Sequence, residues 1–247
     1  MKAIGVFVLA LTVASPALAG PPNSTIGAKK LEENMVHSGG VGYPSILYEW
    51  WNKGSGNLDW GLEGELVYGN WAAVTSSAFI GTRFVEIGLG VSGILRWHLA
   101  TKEKSKVTND VAILVKPGIL LAGNAGNSFT FGIKGEVAAP FSIDVHDRVT
   151  VVTGGFIPLT WLINSDNVAN SFLTPLLIRL GVEIDASDRV APWFFFDLGP
   201  GILSGGGDTS VKFAWRLGAG TTFWGVLKGK SSTPSSTGDA VPASAGE

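Results

Sequence analysis

The feature that most limits what this chain can fold into is a set of apolar segments with a period of two. In Phe84–Ala100, the residues Val85, Ile87, Leu89, Val91, Leu95, Trp97 and Leu99 share one parity, interrupted by Gly93. The other parity holds Phe84, Glu86, Gly88, Gly90, Ser92, Ile94, Arg96, His98 and Ala100. Phe129–Val145 repeats the pattern, with Phe131, Ile133, Val137, Phe141 and Ile143 opposite Gly132, Lys134, Glu136 and Asp144. Val211–Phe223 sets Phe213, Trp215 and Leu217 against Lys212, Arg216, Gly218 and Gly220. Side chains alternate across a strand, so such segments are strands with two unlike faces. Six weaker versions follow the same rule: Gly42–Trp51, Leu58–Tyr68, Val111–Ala122, Val149–Ile163, Phe172–Ala186 and Val190–Leu203. Val149–Ile163 is apolar on both faces, and Trp193–Leu198 is mixed.

These segments are longer than the roughly 5–6 residues usual for a soluble strand, and they exceed the roughly 9–11 that cross a bilayer core at a tilt. Their polar face is rich in glycine and serine and sparse in charge. Charged residues make up 15% of the 247, and Gly numbers 34. A solvated sheet face would carry more charge; the interior of a narrow closed barrel needs small side chains. Trp60, Tyr68, Trp97, Trp161, Trp215 and Trp224 sit near segment ends, where rings with a polar edge would form headgroup-level girdles. The expected fold is therefore all-β: a closed antiparallel transmembrane barrel with meander topology over residues 41–225.

The segments flanking the barrel carry their own signals. Lys2, the apolar run Ala3–Ala14 and the small-x-small triplet Ala17-Leu18-Ala19 read as a cleaved export signal over 1–19, with Gly20 as the new N-terminus. Residues 20–40 read as a short N-terminal segment on the periplasmic side. Residues 226–247, rich in Ser, Pro, Ala and Gly, read as a disordered tail.

Turn lengths bound the strand number. Val145-His146-Asp147-Arg148 and Ala186-Ser187-Asp188-Arg189 are the tightest connections, and they lie two strands apart, hence on one side. Short turns on the periplasmic side require an even count, but nine segments are visible. Either Val41–Trp51 is not a barrel strand, leaving eight, or another strand is hidden upstream or in Trp71–Ile80, giving ten. Ten is the better count, because Gly42–Trp51 itself reads as a strand.

The chain resembles the small outer-membrane β-barrel proteins of Gram-negative bacteria over about Val41 to Trp224. In that class the last strand carries an assembly signal of a polar residue, then glycine, then apolar or aromatic residues. Arg216, Gly218 and Phe223 stand at that spacing, with Thr221 departing from it. The resemblance implies outer-membrane lipid and the barrel-assembly machinery as partners, and the cell outer membrane as location.

The inward parity carries Glu49, Glu63, Glu65, Glu86, Arg96, His98, Lys116, Lys134, Glu136, Arg179, Glu183, Lys212 and Arg216. Acids and bases are interspersed. They read as mutually neutralising pairs that fill the interior, since an unpaired buried charge costs several kcal/mol; the alternative is a wet, porin-like pore for small solutes or apolar molecules, lined by the same charges. No Cys is present and only three His, which argues against thiolate chemistry and a metal site. His98 has no serine two residues away, and His146 lies in a turn, so outer-membrane lipid hydrolysis by a Ser/His pair has little support. Net charge of −2 gives no basic field for nucleic acid. No cofactor is expected. The expected role is structural or surface-interacting, with recognition by loops near Asn70–Gly81 and Asn164–Asn170.

Overall fold

The computed structural model describes residues 21–68, 87–104, 107–123, 129–164, 171–205 and 208–225. The expected export signal, Glu86, the loop at 70–81 and the C-terminal tail lie outside these residues. Among the described residues every regular element is a strand: β1 (Met35–Tyr43), β2 (Ser45–Lys53), β3 (Leu58–Tyr68), β4 (Ile87–Lys104), β5 (Val107–Gly123), β6 (Phe129–His146), β7 (Val149–Asn164), β8 (Ser171–Pro175), β9 (Leu177–Ile184), β10 (Val190–Gly205) and β11 (Asp208–Trp224).

Apart from β8 and β9, each strand pairs antiparallel with its neighbour in sequence, and β11 returns to pair with β1. The sheet is a closed meander. β8 and β9 both pair with β7 on one side and β10 on the other, in one continuous register. Leu176 between them still donates its amide to the Pro200 carbonyl at 2.8 Å. They are two halves of one strand, so the barrel has ten.

The tenth strand is β1, upstream of the expected start; Trp71–Ile80 lies outside the described residues. The signal of β1 is faint because Ser38, Gly39, Gly40 and Gly42 leave little apolar pattern to read. The segment Gly42–Trp51 straddles a turn: Gly42 and Tyr43 end β1, and Pro44, which has no N–H for a ladder, separates them from β2. The eight-strand count falls with this, as does the expectation that the barrel begins at residue 41.

Register fixes the shape. Partners followed once around the wall from Gly40 run through Leu47, Glu65, Gly90, Leu120, Gly132, Leu162, Ser171 and Gly205 to Asp208. Asp208 lies nine residues before Leu217, the partner of Tyr43, so the circuit closes nine positions past Tyr43 and twelve past Gly40. A stagger of that size gives strands tilted by roughly 35–45° to the barrel axis.

Both termini of the wall lie at one end. Val36 is opposite Trp224 and Met35 opposite Asn52. The Asp147-Arg148 turn and the 185–189 turn are at this same end, as their common side required. It is called the terminal end below. The connections 69–86, 124–128 and 165–170 fall at the other, distal end.

The outer face is apolar. Leu62, Leu89, Val91, Ile119, Ile133, Ile178, Leu180 and Phe213 are all exposed there. A side chain of this kind gains about 1.5–3 kcal/mol when it leaves water, so this surface needs an apolar partner. Trp60 and Trp97 stand on it near the terminal end of β3 and β4; Tyr68 and Trp161 stand near the distal end of β3 and β7. Trp215 also faces out, half-buried against Tyr43 and Phe196. Trp224 does not belong with them. It shares the parity of Gly220 and Thr222, points inward and is buried beside Leu31 and Trp51.

Candidate functional site

The interior is filled in two ways, by a loop of the chain and by a belt of ion pairs. The loop is Pro21–Asn34, expected as a segment outside the barrel. Its hydrogen-bond partners lie on β1, β3, β4, β6, β9 and β11, nearly the whole circumference, so it sits inside the wall.

The loop is shaped by its own polar side chains. Asn23 Oδ1 accepts the amides of Glu32 and Glu33 at 2.9 and 3.1 Å, tying the two limbs together. Ser24 Oγ accepts the Gly27 amide at 2.9 Å, which closes a tight turn at the apex. Gly27 is required there, because a Cβ would fall 2.4 Å from Ser142 Oγ.

The wall then satisfies the loop's backbone. Arg96 donates to the carbonyls of Ser24 and Gly27 at 2.7 and 3.1 Å, and to Asp59 at 2.9 Å. His98 donates from Nδ1 to the Ala28 carbonyl at 2.8 Å, and its Nε2 lies 2.7 Å from Asp59. The Ala28 amide donates to Ser142 Oγ at 2.8 Å and the Leu31 amide to Asp59 at 3.2 Å. Lys29 pairs with Asp144 at 3.0 Å. Thr25 Oγ1 reaches both Ser38 and Thr222, at 3.0 and 2.8 Å. Such accounting is what a buried irregular segment needs, since each orphaned polar group costs about 1–3 kcal/mol.

At the apex the Ile26 carbonyl accepts from Arg179 at 3.2 Å. That guanidinium sits 3.7 Å from the Phe156 ring centroid and 4.0 Å from that of Phe195, and is held by Asp197 through two bonds of 2.8 Å. A planar cation suits such stacking. The same residues explain the sequence pattern. Val149–Ile163 is apolar on both faces because Val152 and Phe156 point inward at the loop and at Arg179. Trp193–Leu198 is mixed because Trp193 and Phe195 are inward aromatics.

Toward the distal end lies the belt. Lys116 reaches Glu49 at 2.6 Å and Glu63 at 2.8 Å; Lys134 reaches Glu63 at 2.9 Å and contacts Glu65. Arg216 bridges Glu136 at 2.7 Å and Asp197 at 2.6 Å. The pairs join β5 and β6 to β2 and β3, and β11 to β6, so they cross the lumen rather than run along one seam.

Of the residues expected inside, Glu49, Glu63, Glu65, Lys116, Lys134, Glu136, Arg179 and Arg216 form this belt, while Arg96 and His98 bind the loop. Glu183 is fully buried beside Ser24 and Ile26. Lys212 has inward parity near the distal end. Sequence reasoning missed Asp59, Asp144 and Asp197 as partners. Asp59 shares parity with Glu63 and could have been found; Asp197 was hidden by the aromatic run around it. The residues at the assembly-signal spacing also have structural positions: Arg216 in the belt, Gly218 under Phe195, and Phe223 stacked on His37 at 5.4 Å.

These features define a class: a closed ten-stranded meander barrel, apolar outside and charged inside, with an N-terminal loop in its lumen. No protein-family model, curated protein or solved structure was found to match the chain.

Proposed function

We propose that this chain is an exported outer-membrane β-barrel with a structural or surface-interaction role and a closed lumen. The observation that carries the reading is the pairing of an apolar outer wall, ringed by Trp60 and Trp97 at one level and Tyr68 and Trp161 at another, with an interior occupied by paired charges. A bilayer would satisfy the first, and a closed barrel is one of two architectures that meet every backbone hydrogen bond there. Recognition falls to the loops near Asn70–Gly81 and Asn164–Asn170, which join strands at the end opposite Met35 and Trp224. The periplasm would receive the terminal end, with its short turns. Lipid and the barrel-assembly machinery are the partners of this reading, which assigns no catalytic step.

Fractionation tests it directly. The processed protein is expected in the outer membrane, with a gel migration that shifts on heating. Purified and inserted in planar bilayers, the full chain is expected to show no discrete openings. Recovery of the processed, folded protein in the soluble periplasm would overturn the membrane reading; steady conductance would overturn the closed lumen.

A further inference from the structure

The belt and the loop are not equivalent as seals. At the belt, the side chains of Lys116, Lys134, Arg216 and Glu65 keep 12–15% of their surface open to a water-sized sphere. At the loop, Arg96 and Asp59 keep 0%, and Asn23, Ser24, Ala28 and Glu183 are equally closed. The contrast is one of degree: Lys29 on the loop keeps 12%, while Glu49 and Asp197 in the belt keep 4% and 0%. The belt is also made of long side chains, which exchange ion-pair partners readily when hydrated, whereas the loop places backbone across the lumen.

The loop covers acidic groups. Asp144 takes Lys29 of the loop as its cation, and Glu183 lies against Ser24 and Ile26 with no cation in bonding contact among the described residues. Without Lys29, Asp144 loses its cation, and Glu183 keeps only the longer-range attraction of Arg96. The belt adds five carboxylates, Glu49, Glu63, Glu65, Glu136 and Asp197, to four cations, Lys116, Lys134, Arg179 and Arg216. With Asp59 and Arg96 under the loop and Lys212 near the distal end counted as well, eight carboxylates face six cations beneath the loop, and a narrow passage with an acidic excess favours cations.

We infer that residues 21–34 are a resident, displaceable plug, and that the lumen they seal conducts small monovalent cations once they leave. The inference rests on the closed-barrel reading above, but fails separately from it: a silent full chain supports that reading whatever the plug does.

The test is single-channel recording in KCl on the full chain, on a variant lacking residues 21–34, and on Ala28→Asp in the full chain, which sets a carboxylate among Asp59, Asp144 and Glu183. All are first checked for the heat-dependent gel shift of a folded barrel. The full chain is silent. The deletion and Ala28→Asp open, and in a tenfold KCl gradient the reversal potential takes the sign of K⁺ permeation. A synthetic peptide of residues 21–34, added on the terminal side, returns the deletion variant to silence. The inference is overturned if the folded deletion variant stays silent, which would make the belt the seal, or if it conducts with anion preference. Should the deletion variant not fold, Ala28→Asp alone decides, and its silence as a folded barrel overturns the inference.

Discussion

Trp193 fills the space that Gly220 leaves by having no side chain. A Cβ on Gly220 would fall 2.4 Å from an indole carbon of Trp193, and one on Gly40 would fall 2.3 Å from another. Gly220 lies on β11 and Gly40 on β1, and they are partners across the seam that closes the barrel. The indole also donates to Ser38 Oγ at 3.1 Å. One side chain from β10 therefore spans the last strand and the first.

Gly220→Ala is expected to destabilise the barrel by about 1–3 kcal/mol, the usual cost of overpacking. The clash is not only with a movable ring, because the Gly39 carbonyl oxygen would stand 2.3 Å from the new methyl. Gly64→Ala is the control: it faces outward with nothing within 4 Å of its Cβ position, and it should be neutral or stabilising by up to about 1 kcal/mol. Urea titration of refolding into lipid vesicles measures both. Equal midpoints would show that Trp193 does not constrain the seam.

The carboxylate of Asp197 holds two arginines, Arg179 at 2.8 Å and Arg216 at 2.6 Å. Asp197→Asn leaves Arg179 without its carboxylate and Arg216 with Glu136 alone, and should cost about 3–5 kcal/mol. Arg179→Met should cost less, since Asp197 keeps Arg216. The double substitution should fall short of the sum of the two by about 0.5–3 kcal/mol, as coupled residues do. Additive losses in the same urea titration would mean that the two groups are not paired.

Much of the wall was legible because its outward strand face is apolar at every second position, as in Phe131, Ile133 and Val137. Turn lengths required an even strand count, and the strand-like pattern of Gly42–Trp51 favoured ten over eight. What escaped was β1, where Gly39, Gly40 and Gly42 erase the alternation, and the loop 21–34, whose burial depends on partners scattered from Ser38 to Thr222. No local period encodes such contacts. The inward charges were visible by parity, but their partnership was not: Lys116 and Glu49 meet across the lumen, 67 positions apart in sequence.

The eight tryptophans among the described residues divide by parity, and lipid quenching should reveal it. Trp60, Trp97 and Trp161 are exposed on the outer wall, while Trp51, Trp193 and Trp224 are buried inward. In single-tryptophan variants reconstituted with bromine-labelled acyl chains, the first three should lose fluorescence and the last three should not. Quenching of Trp224 to the extent seen for Trp97 would contradict its inward placement.

The chain has no cysteine, so single introduced thiols report where water goes. Thr160 is half-buried and faces inward, paired with Lys134. Ser24 has no exposed surface and lies in the loop. A water-soluble maleimide should label Thr160→Cys promptly in the folded, reconstituted barrel. Ser24→Cys should react orders of magnitude more slowly, because its thiol is reached only when the loop leaves or the barrel unfolds. The two rates also separate those events. If global unfolding exposes Ser24→Cys, urea that lowers barrel stability speeds its labelling in proportion to the unfolded population. If the loop leaves on its own, the rate at low urea exceeds that population and barely changes with denaturant, since loop departure exposes little surface compared with unfolding. Prompt labelling at both positions would place water throughout the lumen and leave no level of the barrel sealed.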